Sequence, residues 1–344
     1  MEETKEKQET EEKQETEEKQ ETKEKQETKE KQETKEKQET KEKQETEEKQ
    51  YINIIEKVLI SGAWESSRNG KTKMIFGESM RFSLINGKIP ILTTKQTAWK
   101  TCLKELLWFI RGNTDNALLQ QQGVHIWDGN SSRKFLDSRG LQKYPEGILG
   151  PIYGFQWRHF DGDYGYDMDG SQKKEDDIYK GIDQLQYIID NLKNPQERYS
   201  RRLILTAWNP KQLDQMALPP CHILSHYQVT RDDKHGDKLN CIVYARSQDL
   251  PLGTPFNIAS YAFLTYLLAK HCDLIAGELI LFMGNCHIYE EHIESIKKII
   301  TREPFPFPTL EIKEKRENIN DYQIDDFIVS NYMYHEKIEM SMKV

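Results

Sequence analysis

The chain has 344 residues, 31% of them charged and 36% hydrophobic, with a formal net charge of −8. Residues 1–50 hold 20 Glu and 13 Lys, a net of −7, which leaves residues 51–344 at about −1, so no basic field marks a nucleic-acid binder and nucleic acid is not an expected partner. Five cysteines without paired spacing argue against a disulfide scaffold, and the absence of a signal peptide or an apolar run of about 18 residues points to a soluble, cytoplasmic protein.

From Thr4 onward the first 50 residues repeat Thr-Lys/Glu-Glu-Lys-Gln-Glu and carry no apolar side chain after Met1. A six-residue period gives neither a helical stripe nor a heptad seam, so this tail is expected to be disordered. Its removal is expected to leave activity within about twofold, because an all-polar segment has nothing to bury. Residues 51–344 show no Gly/Ser/Pro-rich linker and read as one catalytic domain. Thr97 to Ile110 places Trp99, Leu103, Leu106 and Ile110 at helical spacing, stopped by Arg111-Gly112-Asn113. Asp161 to Asp177 reads as a surface loop. Ile182 to Leu192 is a second helix ended by Asn194-Pro195, and Ile258 to Cys272, apolar almost all round, is a central third one. Strands are expected over Leu203–Trp208, Ile223–Thr230, Leu239–Arg246 and Leu279–Tyr289. Helices alternating with strands define an α+β (α/β layered) fold.

The densest chemistry lies around Leu218-Pro219-Pro220-Cys221-His222. Two prolines stiffen the approach to the thiol, and His222 and Arg246 are candidates to stabilise a thiolate. A lone cysteine is more often a small buried hydrophobe, the role assigned to Cys102, Cys241, Cys272 and Cys286. Arg68, Arg201, Arg202 and Arg246, with Ser247, offer the guanidinium forks that match phosphate oxygens. In a strand the adjacent Arg201 and Arg202 would point to opposite faces, so they are placed in the irregular approach to it. Glu105 interrupts an apolar helix near Cys102 and Phe109, where a carboxyl needs a partner or a raised pKa; a helix-edge salt bridge is the alternative. Asn257 opens the third helix as an N-cap or reads a ligand through its paired donor and acceptor. His287 and Tyr289 alternate along a strand and share one side, as a core pair or as ligand contacts. No metal-ligand spacing is present.

From Tyr51 to Val344 the Pro-Pro-Cys-His and Arg-Ser-x-Asp to Pro-Phe-Asn blocks resemble the thymidylate synthase family. The resemblance implies a mixed twisted sheet with packed helices, one sheet face at a dimer interface, and reductive methylation of dUMP to dTMP. 5,10-Methylenetetrahydrofolate would be the co-substrate, both one-carbon donor and reductant, with dihydrofolate released and no metal required. By the same resemblance Cys221 adds to carbon 6 of the pyrimidine. Glu105 organises water and proton transfer at the ring carbonyl, Tyr153 assists proton removal from carbon 5, and Asn257 and Asp249 complete the catalytic set. Arg68, Arg246, Ser247 and His222 bind dUMP with Asn257 at the base and His287 and Tyr289 at the sugar, while Arg201 and Arg202 arrive from the other subunit of an obligate homodimer. Ile126, Trp127, Asn130, Asp249, Phe256 and the C-terminal Val344 hold the folate.

The match departs from the family pattern at several places. Ala245 stands for a Gln, Gln248 for a small residue, His226 and Tyr227 for a Gln-Phe pair, and Asn285 for an Asp, so slower turnover is expected. A nucleotide hydroxymethyltransferase, an impaired homologue that binds RNA, and a cysteine hydrolase are the competing readings. Asn257 disfavours the first, and the retained Cys221, Glu105 and arginines disfavour the second. Against the third, Cys221 and His222 are neighbours in an extended segment and point apart.

Overall fold

A computed structural model describes residues 47–67, 69–166, 173–174 and 178–342. The tail before residue 47, Arg68, most of the loop over 167–177 and Val344 lie outside the described residues. Helix α1 runs over residues 47–61 and buries Tyr51, Ile54, Ile55 and Val58 at helical spacing. It stops at Gly62, where a Cβ would stand 2.5 Å from the Val58 carbonyl oxygen. This helix begins upstream of Tyr51, and Glu48, in the all-polar repeat, is 1% exposed. The expectation that nothing in residues 1–50 is buried is thereby corrected. Glu48 is buried through hydrogen bonds to the backbone and hydroxyl groups of Thr93 and Thr94, so burial here follows polar satisfaction rather than hydrophobicity.

Strands β1 (Ala63–Ser67) and β2 (Gly70–Ser83) follow; the sequence reading places no element there. Next come α2 (Trp99–Ile110), the short helices α3 (Ala117–Gln120), α4 (Asp128–Ser131) and α5 (Arg133–Ser138), then α6 (Tyr153–His159) and α7 (Gln184–Lys193). Asp183 caps α7 by accepting from the Gln186 amide. Strands β3 (Ile204–Thr206), β4 (His222–Thr230) and β5 (Lys238–Asp249) precede α8 (Gly253–His271) and β6 (Ile275–Tyr289). Helix α9 (Ile293–Ile300) and a hairpin of β7 (Thr309–Ile312) and β8 (Phe327–Ser330) complete the chain.

The main sheet has six strands in the order β1-β2-β6-β5-β4-β3. Among the described residues only β5 and β6 pair in parallel, with α8 as the crossover between them. Mixed strands layered with helices match the expected α+β class. Helix α8 packs against α2, β5 and β6, and Ile258, Phe263, Leu264, Leu267 and Leu268 are fully buried on it, each contributing roughly 1.5–3 kcal/mol. It starts at Gly253, before the expected Ile258, so Asn257 lies inside the helix and is not its N-cap; Leu252 holds that position. No described helix is long and apolar enough to cross a membrane.

On the sheet face away from α8, partners across the strands form two rows. Ile204, His226, Ile242 and Ile280 make one, and Leu224, Tyr244 and Phe282 the other. Ile204, Tyr244 and Phe282 are 41%, 38% and 44% exposed.

Candidate active site

Cys221 ends the Pro-Pro turn where β4 begins. The prolines lack N–H groups but leave their carbonyls free, and Arg246 of β5 takes both: its Nε donates to Pro220 O at 2.7 Å and its Nη2 to Pro219 O at 3.1 Å. The Arg246 backbone N–H also donates to Cys221 O at 2.8 Å, and the guanidinium carbon lies 5.4 Å from the centre of the Trp208 ring. From the other side the Cys221 N–H donates to the Tyr153 hydroxyl oxygen at 2.8 Å. Cys221 is thus clamped between α6 and β5, and it is the only one of the five cysteines that is not buried.

Burial holds the Cys221 thiol above its ordinary pKa; the Arg246 guanidinium opposes that shift and Asp249 reinforces it. His222 does not supply the positive charge expected of it. Burial depresses its pKa to about 3, its Nδ1 meets the Tyr261 hydroxyl at 2.8 Å, and its ring stacks on Tyr153 at 4.2 Å. A register shift between His222 and Leu224 at the start of β4 accompanies this placement. Arg246 therefore carries the cationic role that the sequence divided between two residues.

Glu105 faces inward from α2. Its carboxyl is pushed up to about 7 by burial, against the lowering effect of a hydrogen bond from the Trp127 indole N–H, which donates to Oε1 at 2.7 Å. The partner is an indole, not the cation of a helix-edge salt bridge. A small cavity lined by Glu105, Leu106, Phe109, Trp157, His222, Ser260 and Tyr261 joins α2, α6, β4 and α8. Tyr261 carries no signal in the sequence, since it falls within a helix that reads as apolar almost all round. A larger cavity of about 310 Å³, lined by residues such as Phe155, His159 and Tyr179, contains none of the clustered groups.

The parallel pairing of β5 with β6 sets Ser247 beside Asn285 and Asp249 beside His287. His287 Nδ1 lies 3.0 Å from Asn285 Oδ1, and the His287 and Tyr289 rings meet edge to face at 5.3 Å, so both project on one side as their alternation requires. Asp249 is pushed up to about 7 by burial, with Lys95 opposing, and its Oδ1 has no hydrogen-bond partner among the described residues. Lys95, which the sequence reading did not single out, is buried, its pKa lowered to about 8, and its Nζ donates to Pro251 O. Asn257 Nδ2 donates to Gln248 Oε1 at 3.2 Å. Asn130 is buried on α4, and Ile126 and Phe256 are half-buried at the edge of the core. Arg201 and Arg202 stand exposed in a turn just before β3. Arg68 and Val344 lie outside the described residues.

A clamped cysteine and a guanidinium at the strand ends of a layered sheet, with one buried carboxyl on α2 and another at the end of β5, make an enzyme's architecture. The chain belongs to the thymidylate synthase family, whose model, described as Thymidylate synthase, matches residues 49–344. It is 45% identical to the thymidylate synthase of Saccharomyces cerevisiae over 86% of this chain and 96% of that protein. It is also 48% identical to the bifunctional dihydrofolate reductase-thymidylate synthase of Paramecium tetraurelia and 46% identical to that of Leishmania major, over 86% of this chain in each case. The chain spans 61% and 55% of those two bifunctional relatives.

Proposed function

We propose that this protein converts dUMP to dTMP, with 5,10-methylenetetrahydrofolate as one-carbon donor and reductant and dihydrofolate as the second product. The observation that carries the reading is Cys221 held between Tyr153 and the Arg246 fork. Losing its proton, the sulfur adds to carbon 6 of the uracil, and the electron pair of the 5,6 double bond makes carbon 5 a nucleophile. Because burial raises the thiol pKa, Arg246 is the group that favours the thiolate, and with Ser247 it offers donors to the nucleotide phosphate. Glu105, near neutrality, exchanges a proton at the ring carbonyl through the cavity it shares with His222. The Tyr153 hydroxyl oxygen accepts from the Cys221 N–H and keeps a second lone pair that takes the proton removed from carbon 5, directly or through a water. His287 and Tyr289 meet the sugar hydroxyl.

The folate fits the residues present. Asp249 leaves one buried oxygen without a donor, which suits the ring N–H groups of a pterin, while Ile126, Trp127 and Phe256 give it apolar walls and Asn130 a polar contact. When bound, the folate supplies the methylene carbon and the hydride. The exposed members of the two rows, Ile204, Tyr244 and Phe282, support a homodimer built on that sheet face. Arg201 and Arg202, at its β3 edge, would then reach the partner's phosphate site.

The test is dTMP formation by the purified protein against Cys221→Ser. We expect no measurable product from the variant and a covalent nucleotide adduct on Cys221 only in the wild type. Equal activity in both would remove the mechanism.

A further inference from the structure

Gln248 is a buried amide that the proposed chemistry leaves without a task. It lies in β5 between Ser247 and Asp249, opposite Cys286 of β6, and is 1% exposed. Its Oε1 accepts from Asn257 Nδ2 at 3.2 Å, while its Nε2 has no hydrogen-bond partner among the described residues. Burying an unpaired amide nitrogen is costly. Methionine or leucine would fill nearly the same volume without that cost, so the amide is explained by what its oxygen does.

We propose that Gln248 sets the orientation of the Asn257 amide and, through it, the preference for uracil over cytosine. This rests on the reading of Asn257 as the residue that faces the pyrimidine edge. An asparagine amide is nearly symmetric in shape, but its two orientations present opposite patterns of donor and acceptor. With Nδ2 turned to Gln248, one N–H is committed to Oε1, and the other N–H and Oδ1 remain for the base. Uracil answers that pair with its C4 carbonyl and N3–H, whereas cytosine offers an amino group and a bare N3. Turning Asn257 alone would bring its Oδ1 against Gln248 Oε1, two acceptors face to face; only a concerted turn of both amides restores the bond. Ala245, on the same strand and fully buried, has no polar atom to share the task.

The test is calorimetric affinity for dUMP and for dCMP, each nucleotide alone, with the full-length protein as wild type, Gln248→Met, Asn257→Asp and the double variant. We expect Gln248→Met to lower the preference for dUMP over dCMP roughly tenfold, chiefly through weaker dUMP binding. Gln248→Glu, which keeps an acceptor oxygen toward Asn257, retains most of the preference. A carboxylate at position 257 has two equivalent oxygens and no orientation to set, so Gln248→Met on the Asn257→Asp background leaves the ratio unchanged. A purely packing role for Gln248 would instead move both nucleotides together on either background, and that result overturns the inference. If Asn257→Asp itself leaves the ratio at the wild-type value, the reading of Asn257 falls and this inference with it. An unchanged ratio in Gln248→Met, with Asn257→Asp altered, overturns this inference alone. Should Gln248→Met fail to fold, Gln248→Ala carries the same readout.

Discussion

The α2 side of the site and the β5–α8 corner each bury a carboxyl whose pKa is pushed up to about 7, and the two differ in how they are satisfied. Glu105 is held by the Trp127 indole at 2.7 Å, while Asp249 keeps a buried oxygen without a partner. Desolvation raises both, so the shift alone does not separate their tasks. The hydrogen bonds do. Under the proposed mechanism the carboxyl fixed by a neighbouring side chain passes a proton, and the one with the orphaned oxygen receives a ligand. Glu48 extends the series: its two oxygens accept from the backbone N–H groups and hydroxyls of Thr93 and Thr94, which leaves it a structural role.

The largest effect should come from the α2 side. Glu105→Gln keeps the indole contact but cannot exchange a proton, and kcat is expected to fall roughly 10²–10³-fold with dUMP affinity nearly unchanged. An equal loss in binding would erase the distinction between the two carboxyls. The same variant has a stability signature. In the native protein Glu105 holds its proton up to about pH 7, whereas the unfolded chain releases it near 4.5, so the native state binds more protons between those values and stability falls as pH rises through them. Glu105→Gln should therefore lose less melting temperature than wild type between pH 5 and pH 8; parallel slopes would show that the carboxyl is not held neutral.

At the β5–α8 corner, Asp249→Asn is expected to weaken folate binding by about 10–100-fold, the range for a hydrogen bond to a charged group, while dUMP binding changes little. Fluorescence titration with a folate analogue on the nucleotide-bound enzyme reads this directly, and an unchanged folate affinity would remove Asp249 from the pterin site. The smallest effect belongs to Glu48. Replacing it with alanine strands the Thr93 and Thr94 amides and should destabilise the protein by about 1–3 kcal/mol without altering kcat. Removal of residues 1–46 should leave stability intact, and removal of residues 1–50 should cost at least as much as Glu48→Ala, since it also takes away the Gln50 amide that bonds the Arg81 backbone; identical melts for the two truncations would refute the anchoring.

The residues with chemistry were more legible than the framework that holds them. The Pro-Pro-Cys-His turn, Glu105 and the pair His287 and Tyr289 announce themselves as polar groups in apolar or stiffened surroundings. The helices over Thr97–Ile110 and Ile182–Leu192 fall within a few residues of α2 and α7 because their apolar periodicity is clean. Helix α8 was legible as a body but not at its start, since Gly253-Thr254-Pro255 reads as a turn when it is the first helical turn. Strand β2 mixes Lys, Glu, Gly and apolar residues and gains its identity from pairing along β6, a long-range partner that no local pattern names. Tyr261, Lys95 and Trp208 act through contacts with segments distant in the chain, and His222 was misjudged because its neutrality comes from burial, which the sequence does not display.

The anchoring of Glu48 also bears on how the repeat can change. Glu6, Glu12, Glu18, Glu24, Glu30, Glu36 and Glu42 occupy the same hexad position as Glu48, so gain or loss of whole units upstream delivers an identical glutamate to Thr93 and Thr94. Slippage during copying in multiples of six codons would keep such a glutamate in register, whereas an insertion between Glu48 and Tyr51 would uncouple the carboxylate from the helix that aims it. The last unit of the array has been conscripted as masonry, whatever the number of units before it.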